Sequence, residues 1–380
     1  MKNSPTDRII HPYISRQEKL SAILKTYELD GLALNPGASL KYLTGLEFHL
    51  SERPVIALFL SDKRIIIIHA RLESAKTQGL PFPTDAFSYG EDPATWSDVV
   101  KQGFEEAGFN PQPRIGIEPR GMRILEYRLM ETAVPDAEFI SSEACVAQLR
   151  MVKNDSEIMA MRKAVEIAQI ALAHTLPLAK IGMTERELAS ELTGQLFQAG
   201  SDPEIPFTPI VSSGPNSANP HASPTDRRLS NGDLLVIDWG ASYQGYCSDL
   251  TRTLAIGMPD AEYRKITSIV AQANAAGRTR AAAGISAESL DQAAREVIDR
   301  SGYGPYFTHR TGHGLGLESH EEPYIRAGNE QILEPGMAFT IEPGIYLPNR
   351  NGARIEDNVV ITQTGSLCLS DYPRELVEIG

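Results

Sequence analysis

The feature that most constrains this chain is a pair of aspartates on two apolar strands joined by a short turn. Residues 234–239, Leu-Leu-Val-Ile-Asp-Trp, read as a strand, residues 242–245 as a turn and residues 246–253 as the return strand. A turn centred between Tyr243 and Gln244 sets Asp238 directly opposite Asp249. Facing carboxylates repel, and Asp238 lies in an apolar run where an unpaired charge is costly. A divalent cation between them removes both costs. A pair sharing one proton, or two solvated strand residues, is also compatible with the pattern.

A second hairpin repeats the arrangement. Residues 339–346 and 352–360 flank a five-residue loop that pairs Tyr346 with Gly352 and hence Glu342 with Glu356, although Pro343 interrupts the ladder. Between the hairpins, the glycine-rich segment 311–323 carries His313, whose neighbouring glycines let backbone approach a ligand closely. His309 and His313 form HxxxH without the glutamate of a zinc-peptidase HExxH, and on no obvious helix. His221 stands alone in a turn-rich loop, where a histidine is ordinarily a surface residue. Asp238, Asp249, His313, Glu342 and Glu356 together can bind two divalent ions, with some carboxylates bridging. Oxygen-rich donors favour Mn²⁺, and Co²⁺, Fe²⁺ and Zn²⁺ stay open. The chemistry implied is metal-assisted hydrolysis.

The rest of the sequence sets the frame. A chain of 380 residues implies two to three domains. The first 150 residues alternate helical and strand-like patterns, as in an α/β layer, with His11, His49 and His69 isolated in structural or surface roles. Asn154 with Glu157 three residues on forms a capping-box pattern and opens a helix, which places a boundary between residues 1–150 and 151–380. A second helix is expected over residues 184–199, and others around 261–283 and 286–301. A net charge of −13 argues against a nucleic-acid partner. No apolar run approaches the ~20 residues that span a bilayer, and no signal peptide is visible at the N-terminus. Three widely spaced cysteines fit a reducing compartment, so a cytoplasmic protein is expected.

At these residues the sequence resembles the creatinase/Xaa-Pro peptidase family, whose metallopeptidase domain is also that of methionine aminopeptidase. The matching stretches are Val-Ile-Asp-Trp-Gly at 236–240, Ser-Asp-Leu-Thr-Arg-Thr at 248–253, His-Arg-Thr-Gly-His-Gly-Leu-Gly at 309–316, Glu-Ser-His-Glu-Glu-Pro at 318–323, Thr-Ile-Glu-Pro-Gly at 340–344 and Arg-Ile-Glu-Asp at 354–357. The resemblance implies an α+β architecture. A small creatinase-like α/β domain would precede a "pita-bread" domain, a curved antiparallel sheet backed by helices in two pseudo-twofold halves. It implies that Asp238 binds one metal, that Asp249 and Glu356 bridge both, and that His313 and Glu342 bind the other. Glu342 would also take the proton of the attacking water. His221 and His320 match histidines that orient substrate and stabilise the tetrahedral intermediate, and Arg354 matches a site arginine that contacts substrate. A homodimer is implied as well.

One departure bears on substrate. Prolidases resembling this chain often carry an arginine after the proline of the His-Glu-x-Pro motif, where it grips a dipeptide's free carboxylate. Here that position is Tyr324, and the nearest arginine along the chain is Arg326. The activity expected is therefore release of the residue before proline from dipeptides or short peptides. Two alternatives stand beside it: a hydrolase or lyase of a small non-peptide metabolite on the same scaffold, such as an ectoine-like amide or a sulfonium acid, and a binding module without activity, against which the intact donor set argues.

Overall fold

The computed structural model describes residues 12–379. The chain divides into two compact units, Met1–Arg150 and Met151–Gly380. His11 lies outside the described residues.

The first unit is built on a six-stranded sheet. Its strands are β1 (Gly31–Leu34), β2 (Ile56–Leu60), β3 (Ile65–Ala70), β4 (Asp85–Tyr89), β5 (Arg114–Ile117) and β6 (Glu138–Ser141), in the order β4-β3-β2-β1-β5-β6. Strands β1 to β3 are buried at every residue, which explains their continuous apolar runs. One face packs on helices Trp96–Ala107 and Ile124–Ala133 through Val100, Phe104 and Met130. The half-exposed strands β4 and β6 lack such runs and gave no sequence signal. His69 is buried and hydrogen-bonded to Ala70 and Thr77, and His49 is exposed.

The second unit repeats one plan twice, a pair of helices followed by antiparallel strands. Helices Asp155–Thr175 and Glu185–Gln198 both open on complete capping boxes, Asn154 with Glu157 and Thr184 with Glu187. They pack on β7 (Ile210–Ser213), β8 (Leu234–Trp239) and β11 (Leu250–Ile256) through Leu172, Leu192, Ile237 and Trp239. Two short strands, β9 (Ser242–Tyr243) and β10 (Tyr246–Cys247), form a ribbon between β8 and β11. Helices Ala261–Arg280 and Ala287–Arg300 open the second half. Its strands are β12 (Gly312–Gly314), β13 (Glu321–Ile325), β14 (Ala338–Ile341), β15 (Gly344–Tyr346), β16 (Gly352–Arg354), β17 (Asp357–Thr362) and β18 (Gly365–Cys368), with β19 (Val377–Ile379) returning to β11. A bridge between Thr251 and Glu356 joins the two halves. The α+β class and the helix-backed antiparallel sheets agree with the expected architecture.

The two hairpin registers fared differently. The second holds: Tyr346 pairs with Gly352 on one side of Pro343 and Ile341 with Asp357 on the other, the same register throughout. The first is corrected. Asp238 lies opposite Thr251 rather than Asp249, because the turn is centred between Gln244 and Gly245. Both residues have positive φ, 52° and 80°, as a two-residue hairpin turn that matches strand twist requires. Asp249 is therefore the diagonal neighbour of Asp238 on the same face.

Candidate metal centre

Period-two alternation and the shared sheet seam bring the predicted donors together. Ligand atoms of Asp249, His313 and Glu356 all lie within 4.8 Å of one another, and all three residues are buried. His313 Nε2 is 3.3 Å from Glu342 Oε1 and 3.7 Å from Asp249 Oδ2. Asp238 adds its charge to those of Asp249, Glu342 and Glu356. Backbone contacts fix the frame. Asn358 clamps the Asp249 peptide, accepting from its N–H at 3.1 Å and donating to its carbonyl at 2.5 Å. Gly312 lets β12 meet β14, since a Cβ there would stand 1.9 Å from the Thr340 carbonyl oxygen.

The cluster carries a large electrostatic cost as a set of bare acids. Burial, then Glu356, Asp238 and Glu342, hold the Asp249 carboxyl well above the usual carboxylate range. Burial, then Glu342 and Asp238, do the same to Glu356. Burial pushes Glu342 up to about 7, with Arg354 opposing. His313 is displaced the other way, well below 6.5, by burial and then by His320 and Arg310. It is thus a neutral imidazole. Its Nδ1–H donates to the Gly314 carbonyl at 3.2 Å, which leaves the Nε2 lone pair facing Glu342 and Asp249. Two buried carboxylate oxygens, Asp238 Oδ1 and Glu356 Oε1, have no hydrogen-bond partner among the described residues. Buried acceptors are rarely left unsatisfied. Orphaned carboxylate oxygens beside a neutral imidazole fit divalent cations, which would satisfy the oxygens and cancel the mutual repulsion.

Around this cluster lie residues of three other kinds. Arg354 donates to Asp238 Oδ2 at 2.6 Å, to Tyr346 Oη at 2.9 Å and to the Pro220 carbonyl at 3.3 Å. It is held charged because Tyr346, Asp238, Glu342 and Glu356 outweigh its burial. The His320 ring lies 4.0 Å from that of His313, centroid to centroid, and keeps an exposed edge. Partial burial, then Arg310 and His221, push its pKa down to about 4. His221 is exposed on the loop between β7 and β8, and its charge is felt at both His320 and His309.

Sequence reasoning missed several neighbours. His309 is half-buried, bonded through Nε2 to Tyr346 Oη at 2.8 Å, and burial lowers its pKa to about 3. Thr251, opposite Asp238, donates to Glu356 Oε2 at 2.7 Å. The nearest arginine along the chain also proves misleading. Arg326 is exposed and turned onto the Ala327 carbonyl, whereas the Arg310 guanidinium lies 4.4 Å over the Tyr324 ring. The antiparallel pairing of β12 with β13 brings those two residues together, and no local motif announces it.

Comparison with known proteins finds similarity along nearly the whole chain. Residues 159–363 match the model of metallopeptidase family M24, and residues 16–152 match the creatinase/prolidase N-terminal domain. A probable dipeptidase, PepE, of Mycobacterium bovis is 36% identical over 97% of this chain and 96% of its own. An Xaa-Pro dipeptidase of Lactobacillus delbrueckii subsp. lactis is 31% identical over 94% and 97%. The crystal structure of a recombinant prolidase from Thermococcus sibiricus superposes with a TM-score of 0.91 at 34% identity, covering 97% of this chain and all of that one.

Proposed function

Because the chain belongs to metallopeptidase family M24, with a creatinase/prolidase N-terminal domain ahead of the peptidase domain, we propose that it hydrolyses the bond before proline in Xaa-Pro dipeptides and short peptides. The observation that carries this reading is the buried cluster of acids around a neutral His313, with two carboxylate oxygens lacking partners. In this reading residues 1–150 form the creatinase-like domain and residues 151–380 the catalytic one.

Asp238 would hold one divalent ion, His313 and Glu342 would hold the other, and Asp249 and Glu356 would be shared between the two. Bound there, the ions supply Lewis acidity and a water whose pKa is lowered toward neutrality. Glu342 would accept the proton of the attacking water as general base. His320 and His221 line the open side, where they orient the substrate and stabilise the tetrahedral intermediate. Arg354 fixes Asp238 and the loop at Pro220, at the edge of the substrate site. Arg310, laid on Tyr324, offers a guanidinium edge to a substrate carboxylate. Mn²⁺ is the metal the oxygen-rich donors favour, with Co²⁺, Zn²⁺ and Fe²⁺ as the other candidates. The reading includes a homodimer, by family resemblance, and a cytoplasmic location, supported by three cysteines that form no disulfide. Among the described residues no helix is long and apolar enough to cross a membrane.

A panel of Xaa-Pro, Xaa-Ala and Xaa-Pro-Yaa peptides, assayed with Mn²⁺ or Co²⁺, tests the reading. Cleavage confined to bonds before proline is expected; a chain that turns over none of them contradicts it.

A further inference from the structure

The loop that carries His221 runs from Ser213, at the end of β7, to Thr225, and it has little regular structure of its own beyond a short 3₁₀ turn at Gly214–Ala218. Such a loop can hold a side chain in register only if something outside it fixes its backbone. One carboxylate does this. Glu185 is the first residue of helix Glu185–Gln198 and is wholly buried. Its Oε1 accepts from Ser213 N at 2.7 Å, Ser213 Oγ at 2.9 Å and Asn216 Nδ2 at 3.2 Å. Its Oε2 accepts from Thr225 N at 3.0 Å, Thr225 Oγ1 at 2.7 Å and Asn216 Nδ2 at 3.0 Å. All of these donors belong to the His221 loop or its two ends. No ion pair reaches Glu185 among the described residues, so its charge is compensated by hydrogen bonds to this segment.

A buried carboxylate without a cationic partner is an expensive way to close a loop. Apolar packing would serve a loop whose position did not matter. Charge-assisted bonds from both ends of the segment and from Asn216 between them fix direction as well as proximity. The far side of the loop is tied at Pro220, next to His221, by Arg354, whose other bonds reach Asp238. Among the described residues His221 itself has only a backbone tie, its N–H donating to Asn219 Oδ1 at 3.1 Å. Its placement therefore depends on anchors outside the loop: Arg354 beside the metal cluster, the Gly352 N–H, which donates to Ser217 Oγ at 2.8 Å, and Glu185, remote from the cluster, which alone ties both ends.

We propose that Glu185 is a positioning residue for the hydrolytic reaction: it sets the His221 loop, and through it the place of the His221 imidazole against the substrate. The inference rests on the peptidase reading and on the role given there to His221.

Leucylproline hydrolysis by the Mn²⁺-loaded enzyme tests it in a double-mutant cycle of Glu185→Gln and His221→Ala. The amide keeps the shape of Glu185 but turns an NH₂ toward donors that need an acceptor. Glu185→Gln should lower kcat roughly 10- to 100-fold through misplacement alone, with bound metal unchanged. In the His221→Ala background the same substitution should cost less than about threefold, because residues acting as one unit are not additive. Thr225→Val, which deletes a single hydroxyl donor, should show the same pattern more weakly, and it serves if Glu185→Gln fails to fold. Equal cost in both backgrounds, or metal lost in proportion to rate, would overturn the inference alone. A His221→Ala enzyme with wild-type kcat would overturn the role of His221 and this inference with it.

Discussion

Arg354 and Asp238, 116 residues apart, form a buried ion pair at 2.6 Å that occupies one oxygen of the aspartate and leaves the other without a partner among the described residues. The pair divides the labour of that carboxylate: one oxygen is anchored to the protein and the other accepts no hydrogen bond among the described residues. Arg354→Met removes the anchor and leaves a buried charge uncompensated, a loss of about 3–5 kcal/mol where nothing replaces the partner. The loss should be largest in chelated protein and smaller with Mn²⁺ bound. Thermal unfolding with and without metal measures both, and an equal loss in the two states would contradict the arrangement.

The pH dependence of the chelated protein follows from the raised acids. The Glu342 carboxyl titrates at about 7 when folded, against roughly 4.3 in an unfolded chain. Between those values the unfolded state releases a proton that the folded state keeps, so stability falls as pH rises. Asp249 and Glu356, also raised, act in the same direction. Asp357 is lowered, by Arg252 and Arg374 against its burial, so its contribution is lost only as pH falls below the usual carboxylate range, outside this window. Below roughly pH 6.5 the depressed histidines His309, His313 and His320 act in the opposite direction, so the fall in unfolding temperature of chelated protein should be seen by calorimetry above that pH, and saturating Mn²⁺ should remove the slope.

Asp249 and Asp357 make an instructive contrast. Both are buried acids beside the seam. Asp357, however, pairs with Arg252 at 2.9 Å, Arg374 at 2.6 Å and Arg278 at 3.4 Å, and so faces away from the cluster. Asp249→Asn should abolish metal retention and nearly all turnover with little loss of fold. Asp357→Ala should instead cost on the order of 3–5 kcal/mol by stranding the buried Arg252 and its half-buried neighbours Arg278 and Arg374. Metal analysis beside thermal melts separates the two outcomes.

These cases also show what the sequence could reveal. Acids on apolar strands are legible because burial of an unpaired charge is costly wherever it occurs, and the Glu342–Glu356 register survived because a five-residue loop left one pairing. The Asp238–Asp249 register slipped because Gln244 gives no hint that it adopts positive φ; the glycine that follows it was the available signal. Glu185, Arg310 and His309 were not legible as site residues. Each acts through a partner brought close only by tertiary pairing, as Arg310 is to Tyr324.

That last contact gives a specificity prediction. A guanidinium stacked on an aromatic ring keeps its N–H edge available for a carboxylate. Leucylproline should be a better substrate than leucylprolinamide, by about 10- to 100-fold if the carboxylate gains a charged hydrogen bond. In Arg310→Met the ratio of the two kcat/KM values should fall toward one. A ratio that survives the substitution would place the carboxylate elsewhere.

The most direct measurement of the central claim is metal stoichiometry followed through one cycle of chelation and return. Protein stripped of metal and verified by elemental analysis should be inactive on leucylproline. Adding Mn²⁺ should restore hydrolysis in step with binding of two ions per chain, and Asp249→Asn should take up neither ion tightly nor recover. Full turnover by verified metal-free protein would contradict the account.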